Sequence, residues 1–225
     1  MEIDLVIFDL DGTIAHSRNP NATGNEHMTD AWSTLMEAYG LGEQERAITN
    51  KYLIPGANNM TPENHRKQFY ETAALLKGHD PRIAIDALEG MPLTPGFGEL
   101  CKYLRTQRIP HGIVTLTTSL AADIIVKRFN LDFAYANEFG ISRGLFNGDG
   151  EINVLFGSKG KVVESAIERF GVDSAKTAYI GDSSNDIDPW KVVGHPFGMN
   201  NRANLDLYLE DKFTDFYKVL EAFQK

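Results

Sequence analysis

The sequence predicts an α/β protein, with a doubly wound parallel sheet and an all-helical domain inserted after the first strand. Three observations support this fold class. Residues 3–8 form a short, nearly continuous apolar run, which is typical of a parallel strand buried on both faces. Residues 15–90 contain helical patterns and no convincing strand. From residue 92 onward strand and helix patterns alternate, which is how a doubly wound sheet is built.

The inserted domain shows four helical patterns. The spacing of apolar residues predicts helices over 29–40 and 42–52. Pro62 and Pro81 each predict the start of another helix, because proline is favoured at the first helical position. We therefore assign residues 1–14 and 92–225 to the α/β core and residues 15–91 to the inserted helical domain.

The remainder of the core is predicted from the same patterns. A β-hairpin is expected over 137–155, because glycines recur there among alternating apolar residues. The other elements, in chain order, are helix 97–107, strand 110–116, helix 120–129, strand 133–136, helix 158–170, strand 177–180, helix 187–193, strand 196–199 and helix 205–223.

Composition excludes several classes of function. The chain has 225 residues and a net charge of −9, which argues against a broad nucleic-acid-binding surface because such a surface needs a basic stripe. No apolar run approaches the ~20 residues of a membrane-spanning helix, and no signal peptide is visible. The single cysteine, Cys101, excludes an internal disulfide framework and is expected to be a buried core residue. These features predict a cytoplasmic protein without nucleic-acid or membrane partners.

Two carboxylates end the first strand. Asp9 and Asp11 follow the apolar run, and Gly12 then allows a sharp turn. Ligands bind at the carboxyl ends of the strands in an open parallel sheet. Two acids held close together at this place repel one another and attract a divalent cation. Another apolar strand, over 178–180, is also followed by a glycine and acids, in the stretch 181–186, and so repeats this design.

These stretches resemble the motifs of the haloacid dehalogenase superfamily, most of whose members are phosphatases. The sequence DLDGT at 9–13 looks like the first motif, and GDSSND at 181–186 looks like the fourth. The strand ending in IVTLTTS is similar to the second motif, with Thr115 in the place of its hydroxyl residue. The pair Lys159-Gly160 resembles the third motif, a lysine at a helix start. The helical domain lies where this superfamily carries its first type of cap, and we call residues 15–91 the cap.

The resemblance implies a Rossmann-like core and a Mg²⁺-dependent phosphomonoester hydrolase. Asp9 is the expected nucleophile, which would form an aspartyl-phosphate, and Asp11 is the expected general acid and base. The expected metal ligands are Asp9, the backbone carbonyl of Asp11, and Asp182. Asp186 is expected either to hold a metal-bound water or to orient Lys159.

The phosphate-binding residues implied by the resemblance are Thr115, Lys159 and Asn185. A hydroxyl at Thr115 can donate to a phosphate oxygen, although a β-branched residue is favoured in any strand. The hydroxyl residues at 117–119 are candidates for the N-cap residue of the next helix, and one of them can also face the anion.

Two features point to different branches of the superfamily. The stretch Ala136-Asn137-Glu138, followed by a hairpin and Lys159-Gly160, is similar to phosphoserine-phosphatase-like members. The sequence GT at 12–13 is similar to phosphoglycolate-phosphatase-like and β-phosphoglucomutase-like members instead, and the second motif lacks a Ser-Gly-Gly sequence. The partner is therefore predicted only as a small phosphorylated metabolite, and the oligomeric state is left open.

Two alternative functions are compatible with these motifs. A phosphosugar mutase or phosphotransferase of the same fold would pass the phosphoryl group to a sugar hydroxyl rather than to water. A catalytically silent scaffold would bind a partner through its cap. The charged residues of the cap that are candidates for contact with the substrate's headgroup, without a ranking, are Glu26, Lys51, Arg66 and Arg82.

Overall fold

A seven-stranded sheet forms the centre of the computed structural model, which describes residues 2–15, 30–54, 60–200 and 205–225. The strands are β1 (Leu5–Phe8), β2 (His111–Thr118), β3 (Phe133–Ser142), β4 (Leu145–Glu151), β5 (Thr177–Gly181), β6 (His195–Met199) and β7 (Asp211–Phe213). Their order across the sheet is β4-β3-β2-β1-β5-β6-β7. All neighbouring pairs are parallel except β3 and β4, which are antiparallel. The observed sheet confirms the predicted α/β class.

β1 lies in the middle of the sheet, and all four of its residues are buried. On one face, Phe8 contacts Phe97 and Phe216 edge-to-face, with 5.3 and 5.7 Å between ring centroids. Ile7 points to the opposite face and belongs to a separate apolar cluster. Because apolar side chains cover both faces, the strand needs apolar residues at consecutive positions, as its sequence shows.

Helices cover both faces of the sheet and build the described part of the cap. They are α1 (Ala31–Glu37), α2 (Gly42–Tyr52), α3 (Pro62–Leu75), α4 (Pro81–Glu89), α5 (Phe97–Gln107), α6 (Ser119–Phe129), α7 (Lys159–Phe170), α8 (Ile187–Val192) and α9 (Phe216–Phe223). In the described ranges, no helix combines the length and the apolar character needed to cross a membrane.

Local sequence explains where the cap helices begin. The side chain of Asp30 accepts a hydrogen bond from the backbone N–H of Ser33 at 2.7 Å and so caps α1. Pro62 and Pro81 occupy the first positions of α3 and α4, as predicted. The described residues of 30–54 and 60–90 contain no strand, which agrees with an all-helical insertion.

The β3–β4 hairpin packs against the cap helices. The rings of Phe69 in α3 and Phe139 in β3 are stacked, with centroids 5.2 Å apart. The backbone of Phe146 in β4 accepts a hydrogen bond from Gly78 at 2.9 Å and donates one to His79 at 3.0 Å. A hairpin from the second half of the chain therefore holds the helical domain over the carboxyl edge of the sheet.

Two predicted elements differ from the structure. The predicted short strand 133–136 continues as β3 to residue 142, because its second half pairs with β4 after its first half has paired with β2. The predicted helix 205–223 is wrong as a single element: it divides into a 3-10 turn at Asp206–Tyr208, strand β7 and helix α9. Asp215 starts α9 by accepting from the N–H of Lys218, and β7 supplies hydrogen bonds to the edge of β6, a long-range pairing that periodicity cannot show.

Candidate active site

The loop after β1 brings Asp9 to the carboxyl edge of the sheet. The backbone N–H of Asp9 donates to the carbonyl of Ile180 in β5 at 2.8 Å, so the ends of the two strands lie side by side. Gly12 has a φ of +84°, and a Cβ atom at this position would lie 2.3 Å from Oδ2 of Asp182. Only glycine therefore lets the loop after β1 approach the loop after β5 so closely.

The loop after β5 is organised around the fully buried carboxylate of Asp186. Its Oδ2 accepts hydrogen bonds from the backbone N–H groups of Asp182 and Ser183 at 2.9 and 3.0 Å. Its Oδ1 accepts from the hydroxyl of Tyr179 and from the ammonium of Lys159, both at 2.7 Å. Protein donors thus occupy both oxygens, and Asp186 fixes the backbone from which Asp182 projects.

Lys159, the first residue of α7, joins the ends of β1 and β5. Its side chain is 1% exposed, and Nζ donates to Oδ1 of Asp9 and to Oδ1 of Asp186, both at 2.7 Å. Burial alone would lower the pKa of Lys159, but the charges of Asp186 and Asp9 outweigh this effect and raise it. The side chain is therefore an ammonium group held in one position.

Three carboxylates converge beside this lysine. One oxygen from each of Asp9, Asp182 and Asp186 lies within 4.8 Å of the others. Burial raises the pKa of Asp9 to about 6; the charge of Lys159 opposes this shift, and the charge of Asp186 adds to it. Three acids and one ammonium leave negative charge at this place, and oxygen ligands so close together suit a small divalent cation. The donor set fits such an ion.

Asp11 is not part of this trio and lies where the core meets the cap. Its Oδ1 accepts the backbone N–H of Ala31, the first residue of α1, at 2.7 Å. Burial, followed by the charge of Asp30, raises the pKa of Asp11 well above its usual value. The environment of Asp11 therefore favours a protonated carboxyl group.

The residues expected to bind phosphate line one cavity with Asp9 and Asp11; they are Thr115, Lys159 and Asn185. Thr115 is buried, and its Oγ1 accepts the backbone N–H of Thr117 at 3.3 Å. Thr118, one of the three candidates, supplies the N-cap of α6. The structure thus brings every predicted site residue together, since Asp182 and Asp186 lie directly beside Asp9.

A family model described as a haloacid dehalogenase-like hydrolase matches residues 3–194. The chain belongs to this family. The match confirms the resemblance carried by the four motifs.

Several relatives of this hydrolase are phosphoserine phosphatases by name. The protein of Methanocaldococcus jannaschii is 28% identical over 191 residues, which are 84% of this chain and 82% of that protein. The protein of Haemophilus influenzae is 30% identical over 120 residues, which are 53% of this chain and 38% of that protein. A solved structure described as a substrate-bound phosphoserine phosphatase complex has a TM-score of 0.78 at 21% identity and covers 99% of both chains. The structural match shows that the fold is shared.

The cap forms the outer wall of the hydrolase's cavity, whose volume is about 420 Å³. The side chains on this wall mix polar and apolar types; among them are Trp32, Glu45, Thr49, Met60, His65 and Gln68. Nδ1 of His65 accepts the backbone N–H of Phe156 at 3.2 Å. Burial, with a smaller contribution from Arg66, lowers the pKa of His65 to about 4, so its ring is neutral near pH 7.

Three of the four headgroup candidates chosen from the sequence, Lys51, Arg66 and Arg82, are not among the described residues of this wall. Lys51 and Arg82 form exposed ion pairs with Glu71 and Asp80, and Arg66 is exposed. Glu26 lies outside the described residues. The inward-facing Glu45 was missed because a charged residue on a cap helix normally faces solvent, and only the tertiary structure shows that Glu45 is buried.

Proposed function

We propose that the protein is a Mg²⁺-dependent phosphomonoester hydrolase that acts on a small phosphorylated metabolite through an aspartyl-phosphate on Asp9. The observation that carries this proposal is the junction of Asp9, Lys159 and Asp186, with Asp11 on the wall of the same cavity. This arrangement supplies a nucleophile, a fixed positive charge and a proton donor around one cavity.

Asp9 is the nucleophile in this proposal. The 2.7 Å hydrogen bond from Lys159 to Oδ1 fixes the carboxylate and leaves Oδ2 to attack phosphorus in line. The ammonium of Lys159 also neutralises charge on the transferring group, at a place where water is largely excluded. The hydroxyl of Thr115 and the side chain of Asn185 are proposed to hold the phosphate oxygens.

Asp9, the backbone carbonyl of Asp11, and Asp182 would hold the metal ion. When bound, Mg²⁺ would neutralise the phosphate and the crowded carboxylates. Of the two roles expected for Asp186, we propose that it orients Lys159, because both of its oxygens already accept hydrogen bonds from the protein.

Asp11 is proposed to be the general acid and base. Its raised pKa favours the protonated form that the first step needs, in which the proton passes to the oxygen of the leaving alcohol. The resulting carboxylate then takes a proton from the water that hydrolyses the aspartyl-phosphate. The contact of Asp11 with Ala31 places this residue against the cap, which would open to admit substrate and close to exclude water.

The relatives named phosphoserine phosphatase support hydrolysis of a small phosphate ester. We further propose a cytoplasmic location, which the buried free thiol of Cys101 supports.

The test is the substitution Asp9→Asn. Hydrolysis of p-nitrophenyl phosphate should require Mg²⁺, stop on chelation, and fall by at least about 10³-fold in this variant, because the amide is not a nucleophile. Asp86→Asn is the matched control: the same change at an exposed position of α4, with activity expected to stay at the wild-type level. Normal activity of the Asp9→Asn variant would refute the proposal.

The products separate this proposal from its alternatives. Release of inorganic phosphate indicates hydrolysis, whereas an isomerised sugar phosphate would indicate a mutase. Absence of activity on every phosphoester would favour a scaffold.

A further inference from the structure

The cap carries a buried carboxylate for which the proposed chemistry has no use. Glu45 lies in the first turn of α2, is 7% exposed, and lines the same cavity as Asp9 and Asp11. Its Oε1 accepts a hydrogen bond from Nε1 of Trp32 at 2.8 Å, and the hydroxyl of Thr49 donates to the same oxygen. Nε2 of Gln68 reaches it at 3.5 Å. Three donors thus hold this carboxylate in one orientation.

The second carboxylate oxygen of Glu45, Oε2, is not held by these donors. No donor among the described residues forms a hydrogen bond with Oε2, although the side chain is more than nine-tenths buried. Oε2 does not belong to the fully buried side-chain atoms that lack a hydrogen-bond partner, so it is open to the cavity that Glu45 lines. A ligand in the cavity that carries an N–H group can therefore donate to it.

The charges around the cavity determine whether that ligand group should be positive or negative. Of the residues that the structure describes in its wall, Lys159 is the only lysine or arginine, and it is already bound to Asp9 and Asp186. His65 is neutral, as described above, and adds no positive charge. The carboxylate of Asp30 lines the same wall as Glu45. A substrate carboxylate would therefore meet like charge on this side, whereas an ammonium group would be paired.

The lining of the cavity also includes apolar side chains. Leu53 and Met60 come from the cap, and Phe156 comes from the loop after β4. The indole of Trp32 adds an aromatic surface, on which a cation can also lie. Such walls suit a short chain of methylene groups rather than a polyhydroxylated sugar.

We propose that the leaving alcohol carries a protonated amine and no carboxylate, so that the substrate is a phosphorylated amino alcohol whose ammonium group binds Oε2 of Glu45. This inference rests on the proposed function, because it assumes that the phosphate lies between Asp9 and Lys159. Glu45 is then the residue that determines substrate specificity. An acid that served only the start of α2 would not need to be buried: Glu43, in the same turn, is exposed.

The experiment compares two small substrates of similar size, phosphoethanolamine and 2-phosphoglycolate. Both have two carbon atoms; the second carbon carries an ammonium group in phosphoethanolamine and is itself the carboxylate carbon in 2-phosphoglycolate. We expect kcat/KM to be at least about tenfold higher for phosphoethanolamine. In a partly buried site, attraction between opposite unit charges and repulsion between like charges a few ångströms apart differ in energy by more than this factor requires. O-phosphoserine carries both groups and should fall between the two.

The variant Glu45→Gln removes the charge but keeps an acceptor for Trp32 and Thr49, and it should bring the ratio of the two kcat/KM values close to one. Glu43→Gln is the matched control, with the same change on the exposed side of the turn, and should keep the wild-type ratio.

Equal or better use of 2-phosphoglycolate by the wild type would overturn the inference, as would an unchanged ratio in the Glu45→Gln variant. Hydrolysis of p-nitrophenyl phosphate without any use of phosphoethanolamine would also overturn it. If no phosphoester, including p-nitrophenyl phosphate, is hydrolysed, then the proposed function itself fails.

Discussion

Replacement of Lys159 by methionine tests how the centre of the site is held together. The ammonium donates to Oδ1 of Asp9 and, together with the hydroxyl of Tyr179, to Oδ1 of Asp186. The side chains of Lys159, Asp9 and Asp186 are at most 8% exposed. Methionine keeps the unbranched apolar part of the side chain but removes the charge. The variant Lys159→Met therefore leaves two buried carboxylates without their shared cation.

The expected loss of stability follows from the burial of this ion pair. Removing one partner of a buried ion pair destabilises a protein by about 3–5 kcal/mol, because the remaining charge is buried and unpaired. For a chain of 225 residues each kcal/mol corresponds to about 2–4 °C in Tm, so we expect Tm to fall by roughly 6–20 °C. Phosphatase activity should fall by at least about 10²-fold, since a fixed positive charge beside the transferring phosphoryl group is lost.

The assay is thermal and urea unfolding in the presence of a chelator, repeated with Mg²⁺. Mg²⁺ should stabilise the variant more than the wild type, because the divalent ion can neutralise part of the carboxylate charge that the lost ammonium leaves unpaired. Lys161→Met, two residues further along α7 at an exposed position, is the matched control and should change Tm little. A Lys159→Met protein as stable as this control would refute the reasoning that the ammonium balances Asp9 and Asp186.

Two further predictions concern residues around this centre. Tyr179→Phe removes the hydroxyl that donates to Oδ1 of Asp186 at 2.7 Å; we expect a loss of about 1.5–3 kcal/mol in the free energy of unfolding, measured in urea, and a lower kcat with little change in KM. Equal stability and equal kcat would show that Asp186 does not depend on this hydroxyl. Burial lowers the pKa of His65 from 6.5 to about 4, so the unfolded chain takes up a proton before the folded one, and stability present above pH 6.5 should be lost as the pH falls towards 4. The loss of stability amounts to at most about 3 kcal/mol. The variant His65→Asn keeps an acceptor for the N–H of Phe156 and should make stability less dependent on pH in this range. An equally steep pH dependence of stability in that variant would assign the effect to other groups.

The sequence was informative wherever local pattern and chemistry coincide. The apolar run of β1 and the acids that follow it are adjacent in the chain, so the place of Asp9 at the carboxyl edge of the sheet could be predicted. Lys159 could be selected because the Lys159-Gly160 pair at a helix start resembles the third motif of the superfamily, and the structure places it between Asp9 and Asp186.

What the sequence could not provide depends on contacts between distant segments. The two expectations for Asp186 could not be separated, because its donors come from Tyr179, Lys159 and the loop backbone. Glu45 looked like any other charge on an amphipathic helix until Trp32 and Gln68 were seen to bind it.

The covalent state of Asp9 during turnover tests the central claim most directly. The wild-type protein would be quenched in acid while it hydrolyses p-nitrophenyl phosphate with Mg²⁺, and its peptides would be analysed by mass spectrometry. If Asp9 is the nucleophile, the peptide that contains Asp9 carries one phosphoryl group, which is absent when Mg²⁺ is chelated and absent in the Asp9→Asn variant. A phosphoryl group on a serine, threonine or histidine, or rapid hydrolysis without any phosphorylated peptide, would contradict it.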